Sequence, residues 1–462
     1  MFGKSLEIKE TSIPGLLILE LPVHGDSRGW FKENWQREKM LAAGLPDLGP
    51  VQNNISFNDE IGVTRGIHAE PWDKFVSVAS GKVFGAWVDL REGDSFGKVF
   101  TAELDASKAI FVPRGVANSY QTLVADTAYV YLVNDHWSPT AEYTFLNLAD
   151  ETAAIKWPIP LENALLSEKD QAHPRLKDVV PMKPKKTLVL GANGQLGLSL
   201  RKLMPEADFV TRLEFDVTDE AAYKNFPWKQ YSTVINASAY TAVDEAETAE
   251  GRATAWKTNV TAIGWLARAC TEHRLTLVHV SSDYVFDGTS SSPYVEDEAF
   301  SPLGVYGQTK AASDAIVAIV PQYYILRTSW VIGEGNNFVR TMASLAERGI
   351  KPSVVNDQIG RLTFTQDLAA GIQHLLSTKP AFGTYNLSNE GPASSWAEIA
   401  SQVYELTGHN PADVTEVSTA EYFDGKQGIA PRPLWSMLDL SKIEATGFIP
   451  ESWEVRLREY MA

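Results

Sequence analysis

The stretch Thr187-Leu188-Val189-Leu190-Gly191-Ala192-Asn193-Gly194-Gln195-Leu196-Gly197 decides how the second part of this chain reads. An apolar run of strand character passes straight into a glycine turn, and Gly191, Gly194 and Gly197 open the helix that follows. Such a turn lets backbone N–H groups at the positive end of a helix approach a pyrophosphate. A tight strand-to-helix turn would use the same glycines, so the surroundings decide. Downstream, Val234-Ile235-Asn236-Ala237, Leu275-Thr276-Leu277-Val278-His279-Val280 and Tyr324-Ile325-Leu326-Arg327 read as buried parallel strands alternating with amphipathic helices. The expected fold of this part is α/β, a doubly wound parallel sheet of Rossmann type.

A dinucleotide in that turn would touch Gly191, Asn193, Gly194, Gln195, Leu196 and Gly197. Asp216 and Val217 follow the second short strand, where a carboxylate can bond the adenine or ribose side; a helix cap onto Thr218-Asp219-Glu220 competes for the same aspartate. At that strand's tip Thr211-Arg212 offers no carboxylate, and an arginine suits a 2′-phosphate. NADPH is therefore favoured, with NADH the alternative. Ala237, Ser238 and Ala239 put small residues at a strand end, where a flat cofactor can lie against backbone.

Tyr306 and Lys310 stand four apart and share a face if helical. A surface pair would carry the same spacing. An ammonium beside a phenol, however, lowers the phenol toward a working range, so Tyr306 is expected to protonate a carbonyl oxygen as hydride reaches its carbon. Ser282 would hydrogen-bond that oxygen, and Lys310 would also hold the nicotinamide ribose. Ser282 and Asp283 lie in Ser281-Ser282-Asp283-Tyr284-Val285-Phe286-Asp287-Gly288, at the sheet edge where open α/β folds bind ligands.

Before the glycine turn the pattern changes. From about Ile8 to Trp157, short β-branched and aromatic runs alternate with Gly, Asp and Pro turns, as in Phe75–Ala79, Val83–Val88 and Ala128–Leu132. Helical periodicity shows only around Trp35 to Leu41. This part is expected to be mostly β. The prolines and lysines of Val179-Val180-Pro181-Met182-Lys183-Pro184-Lys185-Lys186 read as a linker, placing one domain at 1–180, the linker at 181–186 and the second domain at 187–462.

Composition agrees with two folded domains: 462 residues, 44% hydrophobic and 21% charged. A net charge of −17 repels phosphate backbones and argues against nucleic acid or an anionic membrane as partner. No stretch approaches the length of a membrane span, and the amino terminus lacks the apolar run of a signal peptide, so a cytoplasmic protein is expected. The one cysteine, Cys270, falls in an apolar helical pattern and reads as a core residue.

Taken together, the glycine turn, Thr241-Ala242-Val243-Asp244-Glu245-Ala246-Glu247, Ser281 to Gly288, the Tyr306/Lys310 pair and Arg327-Thr328-Ser329-Trp330-Val331 resemble the extended short-chain dehydrogenases, and within them the dTDP-4-dehydrorhamnose reductases. The resemblance spans roughly Thr187 to Ala462. It implies a small substrate-binding subdomain in the C-terminal part and places Trp330 in the sugar pocket. Serine stands at Ser282 where the family usually has threonine, and the hydroxyl is kept.

Asp26-Ser27-Arg28-Gly29-Trp30-Phe31, Gln52-Asn53-Asn54-Ile55-Ser56, Arg65-Gly66-Ile67-His68, Val112-Pro113-Arg114-Gly115 and Leu166-Ser167-Glu168-Lys169-Asp170 resemble the dTDP-4-dehydrorhamnose 3,5-epimerases, which are cupin-like jelly rolls. The C–H bonds beside a 4-keto group are acidic, so one base and one acid can invert them through an enolate without a metal. The resemblance implies His68 as base, a residue type whose ordinary range suits proton abstraction near neutrality. It implies Asp170 to orient that base, Tyr131 to reprotonate from the other face and Lys74 to stabilise the enolate oxygen. Arg28, Glu33, Gln52, Asn54, Arg65, Glu142 and Lys169 match substrate-holding positions, where forked arginines suit a diphosphate. Departures exist. Asn118 stands where most members have a histidine, Trp137 replaces a usual tyrosine, and the interval from His68 to Lys74 is short. These leave the number of inverted centres open. The paired His-x-His word of a metal-dependent cupin is absent, and no metal is expected.

The joint expectation is a bifunctional enzyme that epimerises and then reduces a dTDP-4-keto-6-deoxy sugar to dTDP-L-rhamnose, with dimerisation implied through the epimerase domain. Three alternatives stay open: a reductase carrying a silent sugar-binding cupin, a non-enzymatic relative such as the regulatory subunit of methionine adenosyltransferase, and the same chemistry on a UDP sugar.

Overall fold

A computed structural model describes residues 5–139 and 141–462 and divides the chain into two compact units, Met1–Pro184 and Lys185–Ala462.

The first unit is built on two antiparallel sheets. One runs in the order Glu7–Glu10, Leu17–Glu20, Lys108–Val112, Lys74–Ser80, Thr127–Val133 and Gln52–Asn58. The other runs Thr144–Phe145, Thr64–Ala69, Val116–Thr122, Val83–Asp89 and Val99–Leu104. The alternation expected at Phe75–Ala79, Val83–Val88 and Ala128–Leu132 lies inside three of these strands. Their inward side chains meet between the sheets: Val76, Val78, Ile110 and Tyr129 from the first pack with Val83, Trp87, Leu104 and Tyr120 from the second. Burying each such side chain stabilises by about 1.5–3 kcal/mol. The one helical signal becomes the helix Arg37–Ala42, whose buried Met40 joins a smaller cluster with Leu45, Leu48 and Phe75.

The second unit carries six parallel strands in the order Asp208–Val210, Lys186–Leu190, Tyr231–Asn236, Thr276–Ser282, Tyr323–Thr328 and Gly383–Asn386. Strand order reverses beside Lys186–Leu190, which puts the glycine turn at the switch point where such sheets bind ligands. Separate apolar clusters fill in around the sheet, one with Val189, Ile235, Val278 and Leu326, the other with Leu188, Val234, Leu277 and Ile325. Successive residues of one strand thus feed opposite faces, the period of two that strand geometry demands. Cys270 is fully buried in the second of these clusters. A further cluster, including Ile332, Val339, Leu362, Ile399 and Trp453, belongs to the C-terminal part.

The expected linker is narrower than 181–186. Met182 donates its N–H to the Leu90 carbonyl (2.8 Å) and accepts from Glu92 (3.0 Å), tying it to the first unit. Lys186 already stands in the first strand of the second. Among the described residues, no helix is long and apolar enough to cross a membrane.

Candidate active sites

In the first unit, His68 lies on Thr64–Ala69, directly opposite Asn118 on one neighbouring strand and Phe145 on the other. Its Nε2–H donates to Asp170 Oδ1 at 2.9 Å. Asp170 sits in the short helix Glu168–Gln171, which starts where Ser167 Oγ accepts the Asp170 N–H (3.1 Å). Burial pushes the Asp170 carboxyl up, but the bond and charge of His68, with bonds from Ser167 and the Gly66 backbone, together leave the group below its ordinary value. With Nε2 bonded to Asp170, Nδ1 is the ring nitrogen left to act on a substrate proton.

A cavity of about 600 Å³ opens beside this dyad, lined by Arg65, His68, Lys74, Asn118, Tyr131 and Asp170, and also by Glu70, Tyr120 and Tyr129. Tyr131 comes from the opposite sheet, on Thr127–Val133. Burial raises its phenol, and the nearby Glu70 and Tyr120 add to the rise while Arg65 opposes it, so the group stays protonated at neutral pH. Lys74 Nζ stands over the Tyr131 ring, 5.1 Å from its centre, and is ion-paired with Glu70. Asn118 Oδ1 accepts from both Trp87 Nε1 and Tyr129 Oη, each at 2.9 Å. At the position where most members of the resembled family carry a histidine, this chain therefore has a neutral acceptor that pins two aromatic side chains.

The remaining expected residues do not line this cavity. Gln52 Nε2 donates to Asn54 Oδ1 (2.8 Å), and Gln52 Oε1 accepts from the Trp137 N–H (3.1 Å). Lys169 Nζ stands 5.6 Å from the Phe145 ring centre, and Glu142 is exposed. Arg28 and Glu33 belong to the region of the Val23–Asp26/Gly29–Lys32 hairpin and are paired elsewhere, Arg28 with Asp26 (2.6 Å) and Glu33 with Lys39 (2.6 Å).

Two residues that sequence reasoning did not single out belong here. Glu70 is 8% exposed, and a buried lysine such as Lys74 (5%) signals that an acid must lie near it. His173, 9% exposed, stacks on Phe145 and faces His68. Burial and the His68 charge lower its imidazole. Among the described residues, His68, Asp170 and His173 are the group whose donor atoms could hold a metal ion, all within 4.8 Å of one another.

In the second unit, Gly191 has φ +86°, and a Cβ there would lie 2.8 Å from the Ala237 carbonyl carbon and 2.9 Å from Ser238 N. The glycine turn and the Ala237–Ser238 segment therefore come together at the ends of adjacent strands, and Ala237 N–H bonds the Leu190 carbonyl (3.0 Å). Asn193 and Gly194 are exposed, Leu196 and Gly197 are buried, and Ala239 is exposed beyond the strand end. The helix Gln195–Leu203 begins at Gly194 with no side-chain cap, and Gln195 Oε1 is buried without a partner. A bare helix start beside backbone that admits no Cβ fits a dinucleotide pyrophosphate.

Asp216 accepts from Thr218 N (2.9 Å) and Thr218 Oγ1 (2.8 Å), whereas Asp219 caps the next helix. Asp216 is thus used locally, though the residue that caps the helix is Asp219, three positions on. Val217 packs partly buried against the cluster of Leu188, Val234, Leu277 and Ile325. Arg212, exposed just past the strand Asp208–Val210, reaches Asp216 Oδ2 (3.1 Å).

Ser282 ends the strand Thr276–Ser282, and its hydroxyl donates to Asp283 Oδ1 (2.8 Å). Burial raises Asp283 to about 6. Tyr306 and Lys310 lie one turn apart in the helix Val305–Val317. Lys310 Nζ donates to the Val280 carbonyl (2.7 Å), and burial lowers its ammonium to about 8. The expectation that Lys310 lowers the Tyr306 phenol is corrected here. Burial pushes that phenol up, the Asp283 charge adds to the rise, and a hydrogen bond with Ser282 is the group pulling it down. Desolvation of the phenol dominates, and the Lys310 ammonium is turned to the Val280 carbonyl.

Trp330 stacks on Trp396 at 3.9 Å between ring centres, half-buried against the C-terminal cluster. A link that sequence reasoning missed is Arg432, whose Nη2 bonds Asp244 Oδ2 at 2.8 Å while Ala430 N–H bonds Asp244 Oδ1 at 3.0 Å. The Thr241–Glu247 run thus anchors a segment almost two hundred residues downstream.

Comparison with known proteins bears on both units. Residues 185–462 match the family described as RmlD substrate binding domain, and residues 10–178 match the dTDP-4-dehydrorhamnose 3,5-epimerase family. A Streptococcus pyogenes protein named "Protein RmlC homolog" is 55% identical over 39% of this chain and 92% of its own length. A dTDP-4-dehydrorhamnose reductase of Aggregatibacter actinomycetemcomitans is 36% identical over 60% of this chain and 98% of its own. The crystal structure of dTDP-4-dehydrorhamnose reductase from Bacillus anthracis, in complex with NADP, is 33% identical over 60% of this chain and 98% of that one, with a TM-score of 0.55. The chain is thus a fusion that belongs to the dTDP-4-dehydrorhamnose 3,5-epimerase family through its first unit and to the RmlD reductase family through its second.

Proposed function

We propose that this chain converts dTDP-4-dehydro-6-deoxy-D-glucose to dTDP-L-rhamnose, the first unit inverting C3 and C5 and the second reducing the C4 ketone. The observation that carries the reading is the pairing of family matches with intact chemistry in each half: His68–Asp170 facing Tyr131 across one cavity, and Ser282, Tyr306 and Lys310 gathered at the end of the parallel sheet. A silent cupin would have no need of the oriented imidazole, and a non-enzymatic relative none of the buried Tyr306 and Lys310.

His68 Nδ1 takes the proton next to the ketone, Asp170 stabilises the imidazolium that results, and Lys74 faces the enolate oxygen. Tyr131, held protonated, returns a proton from the other side. Arg65 at the cavity wall meets the diphosphate. In the second unit, NADPH bound at the glycine turn would supply hydride to the carbonyl carbon. Tyr306 gives its proton to the oxygen, Ser282 fixes that oxygen, and Asp283 and Trp330 border the sugar. Reduction removes the ketone on which epimerisation depends, so epimerisation comes first.

The likeness to an NADP-bound relative supports NADPH, as does Arg212, exposed and able to meet a 2′-phosphate. The two-sheet first unit is read as a cupin-like jelly roll, and the C-terminal cluster of the second as a small substrate subdomain. The protein is read as cytoplasmic. Arg28 and Glu33 stand away from the cavity of their own chain, and Trp30, Phe31, Ile55 and Phe57 are exposed. These features support a homodimer formed through the epimerase unit. Incubation with dTDP- and UDP-linked 4-keto-6-deoxyglucose and NADPH, with the product identified by NMR, tests the assignment. Faster turnover of the UDP sugar would move the substrate class. Sedimentation of wild type against Phe31→Asp tests the dimer, which the charge should dissociate.

A further inference from the structure

Glu70 and Lys74 form a buried ion pair at the wall of the epimerase cavity, a pairing that the base and acid of the reaction do not explain. Glu70 follows the strand Thr64–Ala69 of one sheet, and Lys74 opens the strand Lys74–Ser80 of the other, so the pair bridges the two sheets at the cavity. The side chains are 10% and 6% exposed, and both line the cavity. The Glu70 backbone is also held, its carbonyl accepting from Gly115 N–H at 3.1 Å.

Burying a lone ammonium is costly, and a carboxylate in contact offsets that cost. An ammonium has three N–H donors and no acceptor, so one bond to Glu70 leaves donors for a ketone oxygen. Lys74 Nζ already stands over the Tyr131 ring, which places the ammonium beside the acid. We propose that Glu70 is a positioning residue of the epimerase, aiming the Lys74 ammonium at the enolate oxygen beside the Tyr131 acid. The proposal rests on the epimerase reading of this cavity. The Glu70 charge also raises Tyr129 and Tyr143, so its field extends beyond Tyr131. The groups facing Tyr131 are Glu70, Lys74, Tyr120, Tyr129, Tyr143 and Arg65. Removing the carboxylate takes away one contribution that holds the phenol high and leaves Arg65, which holds it low.

The test is deuterium wash-in from D2O into dTDP-4-keto-6-deoxyglucose, followed across pH with the full chain and no NADPH. Glu70→Gln, which keeps the shape and removes the charge, should slow exchange roughly a hundredfold, the scale of a misplaced catalytic group. KM should stay within about twofold, and the alkaline limb should move to lower pH. Reduction of separately supplied dTDP-4-keto-L-rhamnose by the second unit should be unaltered. Glu70→Asp, with the charge kept and the reach shortened, should lose rate while the alkaline limb stays in place; it carries the test if the glutamine variant does not fold. Exchange slowed less than about tenfold in Glu70→Gln, or slowed equally at every pH, overturns the proposal. Absence of wash-in by wild type overturns the epimerase reading itself, and this role with it.

Discussion

His68 and Asp170, 102 residues apart in sequence, meet through a 2.9 Å bond from ring nitrogen to carboxylate at the edge of one cavity. Backbone bonds join the two segments, Thr64 N–H to the Leu165 carbonyl and Leu165 N–H to the Gly62 carbonyl, each at 3.0 Å, so the His68–Asp170 bond reports tertiary packing rather than local chain chemistry. Asp170→Asn would leave the ring in place but remove the charge that favours the imidazolium. Deuterium exchange should then fall by roughly a hundredfold or more, with NADPH oxidation on the epimerised substrate unchanged. Exchange at wild-type speed would remove Asp170 from the mechanism.

Tyr306→Phe deletes the proton donor without altering the helix. NADPH oxidation should fall by roughly 10²- to 10⁴-fold, while deuterium exchange in the first unit is untouched. A loss confined to KM would mean that the phenol only binds substrate.

Burial pushes the Lys310 ammonium to about 8, against the pull of Asp314, whereas a free lysine titrates near about 10.4. Between these values the unfolded chain holds a proton that the folded chain has released. This group therefore makes folding stability rise with pH from about 8 to about 10. Denaturant titrations of wild type and Lys310→Met at neutral pH and at about pH 10 should show wild type gaining on the variant as pH rises. A constant difference would contradict the burial assigned to Lys310.

Arg327 and Asp314 form a pair at 2.9 Å, with side chains 4% and 1% exposed, and the Arg327 guanidinium also lies over Phe286 and Phe300. Removing one member leaves a charge buried without its partner. Arg327→Met should cost about 3–5 kcal/mol in the second unit, read as an earlier denaturant transition. A change below about 1 kcal/mol would show that Asp314 is satisfied without it.

Much of this was legible in the sequence because the informative residues act locally. The glycine turn needs a positive φ at Gly191 and close backbone at Ala237, both properties of short segments, and period-two alternation marked the strands around Val76, Trp87 and Val130. What escaped depends on contacts between segments. Lys74 was read without Glu70, although a lysine within an apolar strand implies a partner. The Tyr306–Lys310 spacing placed both on one helix but said nothing of desolvation or of the Val280 carbonyl that takes the ammonium. Arg28 and Glu33 matched family positions, yet in this chain their charges close on Asp26 and Lys39. His173 carried no motif, although it lies three residues beyond Asp170 and its ring contacts His68 and Phe145.

The central claim is that one ketone is used twice, first to loosen its neighbouring hydrogens and then to accept a hydride. The most direct measurement incubates the full chain with dTDP-4-keto-6-deoxyglucose and NADPH in D2O and determines the sugar by NMR. The account predicts dTDP-L-rhamnose bearing deuterium at C3 and C5. A reduced sugar that keeps the D configuration and carries no deuterium, or a ketone left unreduced, would contradict it.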